Sequence, residues 1–389
     1  MRLIVKILMI SVLPGVVSAQ DVITPDLAVR SALQNHPLMK AATFEVDAKK
    51  YAEKAAFNLP NPEVNAESPT GTFYAVGVLQ SFEFPTVYLR QKQVARAETA
   101  LARAGQTVSE NDLRYAVRSL YLELQTAESQ GLQWAFRDSL YQAVFNAAER
   151  QFAAGEIDLL QKTIVANEAG NIHQERLAAE QLTSALRSQL MLLTGLTEFG
   201  KLLPLFADTA GLATLSGPLA NPGLAYEKQT AQLAEQQIGL AKSKALPSFS
   251  LGYMNQGTRD TPIDYRFRAS VGIPLWAGQY RVGINAARVD SEAANARAEA
   301  KSRALAMDNQ RIGMEVRSAL NLLRYYEQEA LPRSRILIEA SLRMREAGQI
   351  DYVTFLRTLD EAFAVQRDYV AQIEAFENAR IQLLYLAGQ

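Results

Sequence analysis

Hydrophobic positions in this chain follow two different periods, and the change from one to the other marks its parts. Over long stretches they recur at spacings of three and four: Ala179, Leu182, Leu186, Leu190 and Leu193 in one segment. In another, Leu356, Phe363 and Val370 fall seven apart, and Ile373, Ile381 and Leu384 continue the stripe. Apolar seams this narrow predict helices packed side by side as coiled coils. Elsewhere the period is two. Phe249, Leu251 and Tyr253 alternate with Ser248, Ser250 and Gly252, and Tyr265, Phe267, Ala269, Val271 and Ile273 alternate with Arg266, Arg268, Ser270 and Gly272. A weaker version places Tyr74, Val76, Val78, Phe82 and Phe84 on one face with Gln80; residues 63–68 are its short partner and Pro69-Thr70-Gly71 the turn. Strands with arginines on one face and aromatics on the other suit water on one side and lipid on the other.

Prolines delimit the helices. None lies between Pro85 and Pro204, and Pro332 is the only one after Pro274. A helix beginning at Thr86 can therefore run to Ala154, a length of roughly 100 Å at 1.5 Å per residue. Gly155 interrupts it, and a second helix reaches about Thr194. The same plan then recurs. Ala154-Gly155-Glu156-Ile157-Asp158 matches Ala347-Gly348-Gln349-Ile350-Asp351, and Leu193-Thr194-Gly195 matches Leu386-Ala387-Gly388 at the same spacing. Asn58-Leu59-Pro60 resembles Ala245-Leu246-Pro247, and Asn35-His36-Pro37 loosely echoes Asn221-Pro222. The chain reads as tandem halves, 20–204 and 205–389. The first carries short helices, a β-hairpin at about 63–84 and a long helical hairpin over 86–194. The second carries a helix at about 222–244, a β-hairpin over 248–274 and a long helical hairpin over 279–387.

Composition narrows the function. The 389 residues contain no Cys, two His, and 40 basic against 41 acidic side chains. The charge balance offers no footprint for nucleic acid. Thiolate metal sites, cysteine nucleophiles and an N-terminal lipidated Cys are excluded. No nucleophile elbow, P-loop or dinucleotide fingerprint is present, so an enzyme is not expected, nor a cofactor or a resident metal. At the N-terminus, Arg2 and Lys6 precede a short apolar run, and Val17-Ser18-Ala19 offers a cleavage site; residues 1–19 read as a secretory signal peptide. Beyond it, no stretch is apolar enough for a spanning helix.

The strand count then demands partners. Two hairpins supply four strands, and an open sheet edge in lipid leaves backbone groups unpaired at several kcal/mol each. Single-chain barrels begin at about eight strands. Copies must pool their hairpins, and a trimer gives twelve.

These features together resemble the outer membrane efflux protein family, also called TolC-like, over essentially the whole mature chain. The carriers are the segment from Leu27-Ala28 to Asn35-His36-Pro37, Leu59-Pro60-Asn61-Pro62, Phe82-Glu83-Phe84-Pro85, the junction Gly272-Ile273-Pro274-Leu275-Trp276-Ala277-Gly278 and the doubled Gly-x-Ile-Asp turns. Asn61-Pro62 and the compact hairpins look most like the heavy-metal resistance branch of CusC/CzcC-like channels. The resemblance implies a mainly α fold with a small β part: long coiled-coil hairpins plus four strands given to a shared trimeric outer-membrane barrel. It further implies export of substrate, heavy-metal cations among them, from an RND-type inner-membrane pump through a periplasmic adaptor. The location implied is the outer membrane of a Gram-negative-type envelope, reaching into the periplasm.

Site expectations follow. Arg150, Gly155 and Asp158, with Arg343, Gly348 and Asp351, mark the periplasmic tips where the resemblance places the adaptor; glycine suits a sharp reversal, and each aspartate suits a helix cap. Asp351, Asp360 and Glu361 are candidates for a gate, repeated around an axis and bridged to arginines such as Arg343, Arg345 and Arg357. Arg266 and Arg268 are expected to face the lumen of the barrel. Trp276, Tyr280 and Tyr88 sit where an aromatic girdle meets the membrane interface, packing on the first helical turn being the alternative. Met307 and Met314 suggest a helix face rather than a metal cluster. The nearest rival from another class is a periplasmic adaptor or coiled-coil scaffold, which should carry one helical hairpin and a flanking β module rather than two hairpins and four strands.

Overall fold

The computed structural model describes residues 22–67, 75–197, 200–209, 220–254 and 267–389. The signal peptide, the turn at 69–71, Tyr74, Tyr265 and Arg266 lie outside the described residues. Helices α1 (Pro25–Asn35) and α2 (Pro37–Ala55) lead to strands β1 (Glu63–Glu67) and β2 (Ala75–Phe82), then to α3 (Pro85–Ala153) and α4 (Leu159–Thr194). The second half repeats this with α5 (Pro222–Ser243), β3 (Ser248–Met254), β4 (Phe267–Gly272), α6 (Ala277–Tyr325), α7 (Leu331–Glu346) and α8 (Tyr352–Ala387). The chain is thus mainly helical with one small sheet.

Local chemistry explains the helix ends. Thr24 caps α1, its hydroxyl accepting from Leu27 N at 3.2 Å, and Pro25 follows at the first helical position. Asn221 caps α5 in the same way. His36 caps α2 by accepting from Leu38 N at 3.2 Å through Nδ1.

The helix α3 spans 69 residues without a break, roughly 100 Å at 1.5 Å per residue. Its counterpart is divided into α6 of 49 residues, a π-helical turn of five (Tyr326–Ala330) and α7 of 16, one residue more in total. A π turn is how a helix absorbs a single inserted residue. It sits directly before Pro332, whose ring and missing N–H disfavour an ordinary α turn there.

Packing is distributed along the helices rather than concentrated. At the base, Leu113, Val117, Tyr121 and Leu124 of α3 bury against α1, against Leu186 and Leu190 of α4, and against Leu202. Near the hairpin ends, Tyr141, Val144 and Ala148 of α3 meet Val165, Ala169 and Ile172 of α4 and Tyr352, Phe355, Leu356, Leu359 and Phe363 of α8. A third cluster joins Leu305, Ile312, Val316 and Leu323 of α6 to Ile373, Phe376 and Leu383 of α8. The heptad stripe of α8 is therefore core from Leu356 to Ile381, and Leu384 is partly buried. Leu182, by contrast, faces solvent although its spacing put it on the seam of α4.

The four strands form one antiparallel sheet in sequence order, with Val64 opposite Val78, Gln80 opposite Leu251, and Leu251 opposite Ala269. Pairing of β2 with β3 joins the two halves. The outer edges of β1 and β4 have no strand partner among the described residues.

Candidate functional site

Register sorts the sheet into two unlike faces. Because side chains alternate, the pairing puts Val64, Ala66, Val76, Val78, Phe82, Phe249, Leu251, Tyr253, Phe267, Ala269 and Val271 on one side, interrupted by Gln80. Seven large members of this set (Val64, Val76, Val78, Phe249, Leu251, Phe267 and Val271) are exposed. The other face carries Glu63, Asn65, Ser81, Ser248, Ser250, Arg268 and Ser270 among glycines, Leu79 and Met254. Arg268 thus stands on the polar side and is exposed. Among the described residues, no helix is long and apolar enough to cross a membrane. The apolar side of the sheet is the surface of this chain that suits lipid.

Aromatic residues at the strand–helix junction divide. Trp276 is exposed and fits an interfacial position. Tyr88 takes the packing role: it is buried, its hydroxyl accepts from Glu83 N at 2.8 Å, and its ring meets Phe57 edge-on.

At the far end of the helices the two hairpin turns are near copies. Gly155 and Gly348 have φ of 75° and 68°, the left-handed region that closes a helix, and the N–H two residues beyond each last turn bonds back: Glu156 N to Gln151 O and Gln349 N to Met344 O. Nothing lies within 4 Å of a Cβ built on either glycine, so backbone conformation, not space, selects glycine there. Asp158 accepts from Gln161 N and Asp351 from Thr354 N, both at 2.7 Å. The Thr354 N–H holds the Asp351 carboxyl below the ordinary carboxylate range. Arg150 is exposed, and Arg343 pairs loosely with Glu339 at 3.8 Å.

A polar clasp ties one turn to the other. Arg345 donates to Ile350 O at 3.1 Å and to Gln151 Oε1 at 2.7 Å; the Tyr352 hydroxyl reaches the same oxygen at 2.9 Å. The guanidinium of Arg345 lies 3.6 Å from the Tyr352 ring centre. Arg345 therefore does not bridge to a gate carboxylate.

About five turns from the first hairpin tip and three from the second, another polar group is sealed between the hairpins. Arg137 of α3 is buried; its Nη2 and the Tyr141 hydroxyl both donate to Asp360 Oδ1 at 3.0 Å. Trp134 and Phe363 flank the guanidinium at 4.5 and 4.8 Å. Its Nε and Nη1 make no hydrogen bond and rest against those rings. Burial, and then the Asp360 charge, push the Tyr141 hydroxyl far above its ordinary value; the same two causes raise the Glu168 carboxyl. Of the three gate candidates, Asp351 is a helix cap, Asp360 is the counter-ion of Arg137, and Glu361 is exposed and pairs with Arg357 at 3.2 Å. Arg357 is the one expected arginine that reaches a gate carboxylate. Sequence reasoning missed Arg137; Trp134, Arg137 and Tyr141 at spacings of three and four on one helix face were the available signal.

Among the described residues, no cluster of His, Asp and Glu could hold a metal ion. Met307 and Met314 lie exposed on α6 and do not converge on one.

Residues 219–389 match the family described as outer membrane efflux protein. No curated protein sequence matches the chain. Among solved structures, that of CusC aligns with a TM-score of 0.78 at 17% identity, covering 94% of this chain and 92% of that one. The outer membrane protein VceC from Vibrio cholerae gives 0.77 at 15% identity, over 94% and 96%. MtrE, an outer membrane channel from Neisseria gonorrhoeae in its open state, gives 0.70 at 14% identity, over 94% and 88%. At such identities the likeness is one of fold. Residues 219–389 are thus similar to the outer membrane efflux protein family, and the described chain, with its exposed sheet face and long paired hairpins, has the TolC-like fold of these solved structures.

Proposed function

We propose that three copies of this chain form a conduit: a twelve-stranded barrel in the outer membrane continued by a helical tunnel through the periplasm. The observation that carries this is the exposed apolar sheet face bounded by two edges that have no strand partner among the described residues. Such edges are costly in lipid until another strand pairs with them. Two copies would close eight strands, but a barrel of about eight is filled by its own side chains. Three is the smallest ring of this chain that leaves a lumen, with Arg268 on the inner side.

The chain contains no motif for nucleotide or cofactor chemistry, so a conduit of this kind takes its driving force from a partner. We assign an inner-membrane pump of the RND type as that source and a periplasmic adaptor as the link. The adaptor docks on the turns, at Arg150, Gly155 and Asp158 and at Arg343, Gly348 and Asp351. Leu160 and Val353, exposed at equivalent positions beside the two turns, add apolar contact area. Asp351, Asp360 and Glu361 remain the proposed gate, with Asp360 acting through Arg137. Heavy-metal cations are the cargo suggested by likeness to the CusC/CzcC-like branch.

Extraction and conductance test the reading. The protein should stay with membranes washed in high salt and carbonate, dissolve only in detergent, and produce discrete conductance steps in planar bilayers. Release without detergent would remove the channel reading and favour a periplasmic scaffold. A deletion strain that becomes sensitive to metal salts supports the cation cargo; one sensitive only to organic toxicants reassigns it.

A further inference from the structure

The contacts between the two halves of one chain give a template for contacts between chains. In the sheet, β2 of the first half pairs with β3 of the second. In the helices near the turns, α3 of the first half packs on α8 of the second. Both are the same junction, first half to second half. In a ring of copies, the second half of one chain meets the first half of the next, and each intrachain pair acquires a counterpart displaced by one repeat.

Strand register passes this test. Phe84-Pro85 and Ile273-Pro274 align the second strands of the two hairpins, and Leu59-Pro60 and Leu246-Pro247 align the first strands. Transferring Gln80 opposite Leu251 then places Ala269 opposite Val64 of the next copy, and Val78 opposite Tyr253 becomes Phe267 opposite Ala66. All four belong to the apolar face, so that face continues across the junction without a break.

The same displacement acts at the turns, where the spacing of Gly155 to Gly348 fixes the equivalences. Gln151, which meets Arg345 and Tyr352 within the chain, maps to Met344, and its two partners map to Phe152 and Leu159. Val144, buried in the shared core, maps to Leu337. The polar clasp thus turns into an apolar set. Burial agrees with the exchange: Val144 and Tyr352 are 8% and 2% exposed, whereas Leu337, Met344, Phe152 and Leu159 are 41%, 41%, 37% and 64% exposed. Leu337 and Met344 lie seven apart on α7, the spacing of knobs on one helix face, and Phe152 and Leu159 flank the first turn.

Resting on the trimer reading above, we propose that Leu337 and Met344 of one copy seat against Phe152 and Leu159 of the next. The turns are then joined alternately: by the polar clasp Gln151–Arg345–Tyr352 inside each chain and by this apolar contact between chains. The occupant of the patch formed by Leu337, Met344, Phe152 and Leu159 is a second copy of this chain.

The absence of Cys makes the test direct. Met344→Cys with Leu159→Cys, and separately Met344→Cys with Phe152→Cys, are purified as full chains in mild detergent, oxidised with copper phenanthroline and run without reductant. The expected result is a ladder of two and three chains that collapses on reduction, while Met344→Cys with Leu192→Cys, far down the helix, gives single chains. Light scattering on the same samples separates the possible failures. A trimeric species that forms no ladder with either pair overturns the contact and leaves the channel reading standing. A monomeric wild-type species overturns both. Should the Cys variants alone lose the trimer, oxidation of Leu337→Cys with Leu159→Cys decides by the same readout: a ladder supports the contact and its absence overturns it.

Discussion

Asp158 and Asp351 hold α4 and α8 by equivalent bonds, and single substitutions should expose this. Asp158→Ala is expected to lower unfolding free energy by about 1 kcal/mol, read from denaturant melting. The Asp351 carboxyl is depressed in the folded protein, so its contribution is present above the unfolded value and fades as pH falls through the folded one. The stability gap between wild type and Asp351→Ala should accordingly be full at neutral pH and shrink in acid. At the turns, Gly348→Ala should cost about 1 kcal/mol, and Gly348→Asn less, because asparagine tolerates positive φ. Asp360→Asn leaves a buried guanidinium without its counter-ion at a cost of ~2 kcal/mol, and adding Arg137→Met should recover most of it. Recovery would mark the pair as a specific latch between hairpins; an additive double variant would contradict the coupling. Caps and turn glycines were legible because their partners lie within a few residues. Arg137 was not, because its partner is 223 residues away.

The helices themselves were written in the spacing of prolines and glycines. The long proline-free run after Pro85, the doubled Gly-x-Ile-Asp turns and the period-two residues 75–82, 248–254 and 267–272 lie in α3, the two helical reversals and β2, β3 and β4. What escaped was the π turn at Tyr326–Ala330, since one extra residue in a helical run changes neither composition nor periodicity enough to be seen. It gives a clean prediction. Removing Gln328 should convert the π turn to α and leave both flanking faces in place, so melting by circular dichroism should change little. Removing Arg311 instead rotates the rest of α6 by about 100° and turns Ile312, Val316 and Leu323 out of their core, so cooperative melting should be lost.

At the scale of the molecule, the sheet explains the rest. Among the described residues, one chain presents seven large exposed apolar side chains on a sheet with two open edges, a surface unsuited to water and edges unsuited to lipid. In the proposed ring, pairing β4 of one copy with β1 of the next would satisfy the edges, and lipid would cover the apolar face. The pattern of alternation revealed which face was apolar, but not how the long helices of different copies meet, because exposed positions such as Met344 and Leu159 read like ordinary surface until the repeat places them opposite each other. The most direct test is the mass of the purified protein in mild detergent, with the detergent contribution removed by combined light scattering, absorbance and refractive index. The account predicts three chains in a single species. One chain, in protein that still inserts into lipid, would contradict it.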